Sequence, residues 1–391
     1  MGVIIEVRDP MADLEEKIKT HRLRVWRRMI LTTVTLILAV VSTWLLLEVQ
    51  TYTKIRTVQE YEAAGLENGS YAQYSTGVLK YSRDGIAFLD KKGEEQWNQA
   101  YQIKNPFLSV NEDSAVVADR GGNDILVFDK AGLKGEIHTN YPVERTAVSQ
   151  NGIVAAILRN GNSPQVVCYD ATGNVLVEHR ASLTGTGYPI GLALSPDGTM
   201  LQVSYLCVED GVQATRVMYF DFDKTANEEE KHQAAEDIYK NTVLPTAFFV
   251  DEKTSVLVGD KAFMIYKGSD EPKLSKTVEI DKEIKSFFYD KKYLGFVLKN
   301  SGEEGYELRL YSMAGTKKLS ETFDGEFTNV KVSRENVILY EGKNCMMFST
   351  WGVKKFEGEM DKDIMEILPL SGVNKYLVMN TDGIEEIRLV K

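Results

Sequence analysis

Five stretches of the 391-residue chain share one design: an apolar strand that runs into a turn built on Asp or Ser and closed by Gly. They read IAFLDKKG at Ile86–Gly93, ILVFDKAG at Ile125–Gly132, VVCYDATG at Val166–Gly173, LRLYSMAG at Leu308–Gly315 and CMMFSTWG at Cys345–Gly352. Gly93, Gly132 and Gly173 follow one another at 39 and 41 residues, and Gly315 and Gly352 are 37 apart. A period of about 40–45 residues holding several short strands is the sequence mark of a β-propeller, a ring of four-stranded blades. No unit of this size buries its apolar faces alone, so the period constrains the fold before any single residue is weighed.

Each period divides into four strands, a to d from the centre outward. Over residues 106–138 these are PFLSVNED, SAVVADRGG, DILVFDKAG and LKGEIHT. Strands b and c are apolar at nearly every position, as sheets covered on both faces require. Outer segments such as Thr316–Phe323 and Val353–Met360 alternate polar and apolar residues, which suits an edge half exposed to water. Asp84-Gly85 and Asp382-Gly383 mark b–c hairpins, and Pro196-Asp197-Gly198 marks an a–b turn. The five repeat glycines are assigned to c–d turns that need positive φ.

Candidate a strands fall at Tyr71–Ser75, Phe107–Val110, Ala147–Ser149, Gly191–Ser195, Ala247–Val250, Ser286–Tyr289, Val330–Ser333 and Ile367–Leu370. The chain is therefore expected to be all-β, an eight-bladed propeller, with seven blades if one of these segments is loop. The last unit ends after three strands, and the β-branched segment Thr51–Tyr61 is placed to supply the fourth. The acidic stretch Asp223–Asn241 interrupts the fourth unit between c and d. It is expected to be a solvated loop or short helix on the rim, with partner binding as its functional alternative.

Met29–Leu47 holds 19 residues without a charge, enough helix to cross the roughly 30 Å hydrocarbon core. Lys17, Lys19, Arg22, Arg24, Arg27 and Arg28 precede it, so the positive-inside bias puts the N-terminus in the cytosol and the remainder outside. Trp26 and Trp44 stand near the two ends as interfacial aromatics. A cleaved signal peptide has a shorter apolar region ending in small residues, whereas this one ends in Trp-Leu-Leu-Leu-Glu. Asp9-Pro10 suits a helix start, and Leu14, Ile18, Val25 and Met29 continue at helical spacing. The expected organisation is a cytosolic basic segment (1–28), a transmembrane helix (29–47), a linker with the ring-closing strand (48–70) and an extracytoplasmic propeller (71–391).

Beyond residue 48 the charge balance is −12, which argues against nucleic acid as a partner. Cys168, Cys207 and Cys345 each lie in an apolar strand pattern and read as buried thiols rather than a disulfide framework. The sequence has no C-x-x-C, H-E-x-x-H, G-x-S-x-G or P-loop pattern, and His21, His138, His179 and His232 are scattered. Gly185–Gly191 has the wrong spacing for a dinucleotide loop and precedes a strand. Asp119–Asp124, with an Arg inside it, reads as a plain hairpin rather than a cation loop. No catalytic, cofactor-binding or metal-binding residue is therefore assigned, and no cofactor is expected.

LDKKGEEQW at Leu89–Trp97 resembles the repeat of quinoprotein-type propellers, although Trp97 is the only Trp of that kind. LSPDGTMLQVSY at Leu194–Tyr205 resembles the turn of WD40-like and TolB-like propellers. The basic N-terminus, single anchor, SRDGIAFLDKKGEEQW, SPDG followed by SYL, acidic excursion and FMIYKG together resemble an uncharacterised family of anchored propeller proteins from Gram-positive anaerobes. That resemblance implies fold and localisation and carries no catalytic residues. The expected function is a membrane-anchored interaction or scaffolding module of the cell envelope, with envelope proteins as partners and no enzymatic activity. The competing readings are an extracytoplasmic ligand or glycan sensor signalling through the helix, and an envelope enzyme.

Overall fold

The computed structural model describes residues 10–62, 69–222, 233–300, 302, 304–372 and 374–391. The chain separates into two compact units, Met1–Thr51 and Tyr52–Lys391. In the first, one helix, α1 (Pro10–Val49), is long and apolar enough to cross a membrane, with its candidate span at Lys19–Thr43 and a mean hydropathy of 1.6. It starts at the Pro expected in a first turn and runs without interruption.

The second unit is an eight-bladed β-propeller of four-stranded antiparallel sheets. Blade 1 holds β2 (Ser70–Tyr74) to β5 (Glu95–Ala100), and blade 2 holds β6 (Pro106–Val110) to β9 (Gly132–His138). The meander continues through β10 (Val143–Val148) in blade 3, β14 (Tyr188–Leu194) in blade 4, β18 (Thr246–Asp251) in blade 5, β22 (Ile284–Tyr289) in blade 6 and β26 (Asn329–Ser333) in blade 7. All eight segments expected as inner strands are inner strands. Blade 8 supplies β30 (Ile364–Pro369), β31 (Lys375–Asn380) and β32 (Gly383–Val390). Its outer strand is β1 (Lys54–Glu62), paired antiparallel with β32 from Lys54↔Val390 to Glu62↔Gly383. The N-terminal side thus closes the ring as the missing fourth strand implied.

The core is eight apolar slabs, one at each blade junction. Side chains of period two explain this division. On β11 (Val154–Leu158), Val154, Ala156 and Leu158 enter the slab against blade 2, while Ala155 and Ile157 enter the slab against blade 4. Continuous apolar strands are what a blade with two buried faces needs.

The repeated turn has a physical basis. Asp170 Oδ1 accepts from the backbone of Thr172 (2.8 Å) and Asn174 (2.9 Å), and Asn174 Nδ2 donates to Oδ2 (2.7 Å). The Asn174 side chain, then Thr172, holds the Asp170 carboxyl down to about 2. In blade 7, Ser349 Oγ takes the same place, accepting from Val353 N at 3.1 Å. Gly93, Gly132, Gly173, Gly315 and Gly352 all have positive φ. Gly173 also lies against the preceding blade, where a Cβ would stand 3.4 Å from the Glu136 carbonyl. Trp97 makes the corresponding link between blades 1 and 2, stacking on Phe128 at 5.6 Å and donating Nε1–H to the Lys130 carbonyl at 3.1 Å.

Blade 4 departs from expectation. Gln233–Lys240, expected as part of a rim loop or helix, is β17, the outer strand, paired along Ala214–Phe220. Ala234, Ala235 and Tyr239 pack into the slab against blade 5, and that apolar contact outweighs the helix-forming composition. The rest of the acidic excursion, 223–232, lies outside the described residues. The two middle strands of this blade, β15 (Met200–Glu209) and β16 (Val212–Asp221), are ten residues each.

Candidate functional site

Antiparallel order gives the ring two faces. The a–b and c–d turns emerge on one, called here the turn face; the b–c turns and the d–a linkers emerge on the other, the linker face. Side-chain hydrogen bonds stitch consecutive turns together around the turn face. Tyr74 Oη donates to the Asp113 carbonyl (2.8 Å), Asn111 Nδ2 to Val148 O (3.0 Å), Asn151 Nδ2 to Asp197 O (3.0 Å) and Arg334 Nη1 to Leu370 O (2.6 Å).

One contact on this face joins distant blades. Lys291 Nζ, from the a–b turn of blade 6, lies 2.5 Å from Glu112 Oε1, from the a–b turn of blade 2. Blades 2 and 6 stand opposite each other in a ring of eight, so this ion pair spans the mouth of the central channel. Beside it, Tyr289 at the end of β22 stacks on Phe248 with ring centroids 3.6 Å apart. Both partners of the ion pair are about half exposed, so it contributes under about 1 kcal/mol and acts as a crossbar rather than a clamp.

The same face carries a cleft of about 210 Å³ between blades 7, 8 and 1. Its polar wall comes from the a–b hairpins of blades 1 and 7 and from Lys91; Leu368, Pro369, Leu370 and Leu377 supply the apolar wall. Both hairpins have two-residue loops, Ser75-Thr76 and Arg334-Glu335, set by the pairs Tyr74↔Gly77 and Ser333↔Asn336. Their first loop residues have φ of +49° (Ser75) and +57° (Arg334). Gly is the residue that suits this place, and a side chain with a Cβ costs roughly 1–2 kcal/mol there. Two such residues therefore face one cleft.

The linker face has a different character. In blade 6, Arg309 grips Glu307 through Nε (2.7 Å) and Nη2 (2.8 Å) and reaches Asp281 through Nη1 (2.7 Å). Lys282 and Ser320 complete the shell of Glu307 at 2.8 and 2.7 Å. The Arg309 fork holds the Glu307 carboxyl down to about 2, and Glu307 in turn raises Arg309. The two cations and two carboxylates are matched around a buried Arg309–Glu307 pair, with Asp281 at the exposed edge, which makes the group a structural tie. In blade 4 the long β15–β16 hairpin exposes Val208 (74%) and Leu206 (36%).

Among the described residues no group of three or more His, Cys, Asp or Glu side chains is placed to hold a metal ion. All three cysteines are free and buried, and burial pushes the Cys345 thiol up to about 12. His138 pairs with Asp124 at 2.8 Å on the rim, His179 sits among the rings of Tyr205 and Phe220, and His232 lies outside the described residues. Asp119 accepts from Asn105 N at 3.0 Å, so Asp119 and Asp124 brace a hairpin and do not converge on one ligand. Gly185 and Gly187 lie in the linker before β14, as their position ahead of a strand implied.

The chain belongs to the family of unknown function DUF5711, which matches residues 48–389. No curated protein sequence matches it. Among solved structures it is similar to BamB from Moraxella catarrhalis, with a TM-score of 0.51 and 10% identity over 86% of this chain and 100% of that one. It is similar to Sqt1 from Saccharomyces cerevisiae, with a TM-score of 0.53 and 10% identity over 87% and 99%. Sqt1 from Chaetomium thermophilum, bound to the N-terminus of the ribosomal protein L10, also has a TM-score of 0.53 and 10% identity, over 86% and 100%. At this identity the likeness is one of fold.

Proposed function

We propose that this member of DUF5711 is a single-pass envelope protein whose propeller works as a non-catalytic interaction or scaffolding module. Residues 1–28 are the cytosolic segment, 29–47 cross the membrane, 48–70 link to the ring and close it, and 71–391 form the extracytoplasmic body. The apolar helix and the six basic residues before it support this topology. The observation that carries the interaction reading is the blade 4 hairpin. Its ten-residue strands exceed the five- to eight-residue middle strands of the other blades, and they present exposed Leu206 and Val208 on a rigid ring. The propeller of Chaetomium thermophilum Sqt1 is bound to a polypeptide terminus, which is a precedent for the fold in such a role.

Two measurements test the reading. Protease added outside intact spheroplasts is expected to digest the propeller and spare an N-terminal tag; a protected C-terminus overturns the topology. Crosslinking in the native host is then compared between the wild type and Leu206→Asp/Val208→Asp. The expected result is a variant that melts like the wild type and loses at least one crosslinked protein, and an unchanged crosslinking pattern removes the hairpin as the contact surface.

A further inference from the structure

The cleft between blades 7, 8 and 1 has an electrostatic character opposite to that of the chain. The protein carries a net charge of −11, yet the residues lining this cleft include two cations, Lys91 and Arg334, and no carboxylate. Of the acidic residues next to these cations in sequence, Asp90 is spent inside its own turn, accepting from Lys92 N (2.8 Å), Glu94 N (3.0 Å) and Gln96 Nε2 (3.2 Å), and Glu335 pairs with Lys292 Nζ at 3.2 Å. Among the described residues Lys91 has no ion-pair partner. Arg334 uses Nη1 on the Leu370 carbonyl, which fixes the guanidinium and leaves Nε and Nη2 to donate elsewhere. The hydroxyls of Ser75, Thr76 and Ser333 have no hydrogen-bond partner among the described residues and line the same wall.

We infer that this cleft is a binding site for an oxyanion attached to a small aliphatic group. A guanidinium with free donors, an ammonium and unpaired hydroxyls match a carboxylate or phosphate. Leu368, Leu370 and Leu377 opposite them match a branched aliphatic chain, and about 210 Å³ holds both parts of such a ligand. The backbone supports this assignment independently. Arg334 and Ser75 occupy positions where Gly is unstrained, and strained residues held in place gather at ligand sites. A carboxylate beside an aliphatic side chain occurs both in free acids and at the C-terminus of a polypeptide, and the cleft's chemistry is the same for either source. This inference does not depend on the membrane reading.

The test is calorimetric titration of the full chain in detergent with four probes: N-acetyl-L-leucine, its amide, a tetrapeptide ending in free Leu, and inorganic phosphate. N-acetyl-leucine or the peptide is expected to bind, with affinity falling at least tenfold on amidation and weakening as salt is raised. Tighter binding of the peptide assigns the site to a chain terminus; equal binding assigns it to free acids. Arg334→Gly is expected to melt close to the wild type, because relief of the positive φ offsets the lost hydrogen bond to Leu370 O, and to bind at least tenfold more weakly; Lys91→Gln should weaken binding to a similar degree. Absence of binding by every probe, equal binding of acid and amide, or unchanged binding by Arg334→Gly overturns the assignment.

Discussion

The junction between blades 2 and 3 and the junction between blades 8 and 1 are built from the same repeat, yet they are packed differently. Thirteen buried apolar residues fill the first, from Val116 and Ile125 to Val167 and Tyr169. Among the described residues seven fill the second, as many as at the junction of blades 4 and 5, with Tyr61 and Tyr71 partly buried at its margin. The first joins consecutive blades. So does the second, since β2 of blade 1 follows β1 of blade 8 in the chain; the ring closes beside it, inside blade 8, where β1 pairs with β32 from the far end of the propeller. The open cleft lies at the thin junction, and Leu377 belongs both to its apolar slab and to the cleft wall. The free surface of this cleft thus opens beside the blade that holds the closing seam.

The largest effect is expected from removing the closing strand. A chain beginning at Tyr71 lacks Tyr52 and β1 and leaves the full edge of β32 unpaired. It should lose cooperative unfolding or aggregate, whereas a chain beginning at Thr51 should melt in one transition. Equal melting of the two would mean that closure does not need β1.

Next come two leucines of equal burial. Leu158 in the 2–3 junction and Leu377 in the 8–1 junction are each 1% exposed. Leu158→Ala should cost about 3–5 kcal/mol, because tight packing leaves a sealed void. Leu377→Ala should cost nearer 2 kcal/mol, because the lost volume merges with a cleft open to water. Denaturant midpoints at constant slope measure the difference, and equal costs would erase the contrast between the junctions.

Much of this frame was legible in the sequence, and the reason is periodicity. Strand alternation, the Asp-x-x-Gly turn and the unfinished last unit are local patterns, so the inner strands and the role of Thr51–Tyr61 could be read directly. β17 was hidden because Gln233–Lys240 has a helix-forming composition, and only packing against blade 5 makes it a strand. The crossbar Lys291–Glu112 had no sequence signal, since its partners meet only across a closed ring. The cleft was equally hidden: Ser75 and Arg334 sit in ordinary hairpin loops, and the clue is a φ value. Lys91 stands inside the recognised repeat, but nothing in the repeat sets its charge apart.

Gly93→Val and Gly173→Val sharpen the comparison from another side. Both glycines have positive φ; the first faces the Ile384 side chain of blade 8 at 3.2 Å and the second faces blade 2 backbone. Each substitution should cost about 1–3 kcal/mol, since the strain belongs to the turn and not to the junction. A large difference in melting temperature between them would show that the junctions differ in turn docking as well as in core packing. The smallest effect belongs to Lys291→Ala, expected to lower stability by under about 1 kcal/mol. A loss of several kcal/mol would make the crossbar a structural tie.

Closure by β1 also sets a timetable. During synthesis β1 emerges early, and its partner ends at Val390, so the two cannot pair until almost the whole chain has been made. At translation rates of about 5–20 residues per second, the delay is tens of seconds. Throughout that interval the outermost strand of blade 8 is an unsatisfied edge carrying Ile55, Val58 and Tyr61. Blades 1 to 7 can form in order as they appear, but the ring as a whole matures after translation. The earliest strand made is the last to find its place.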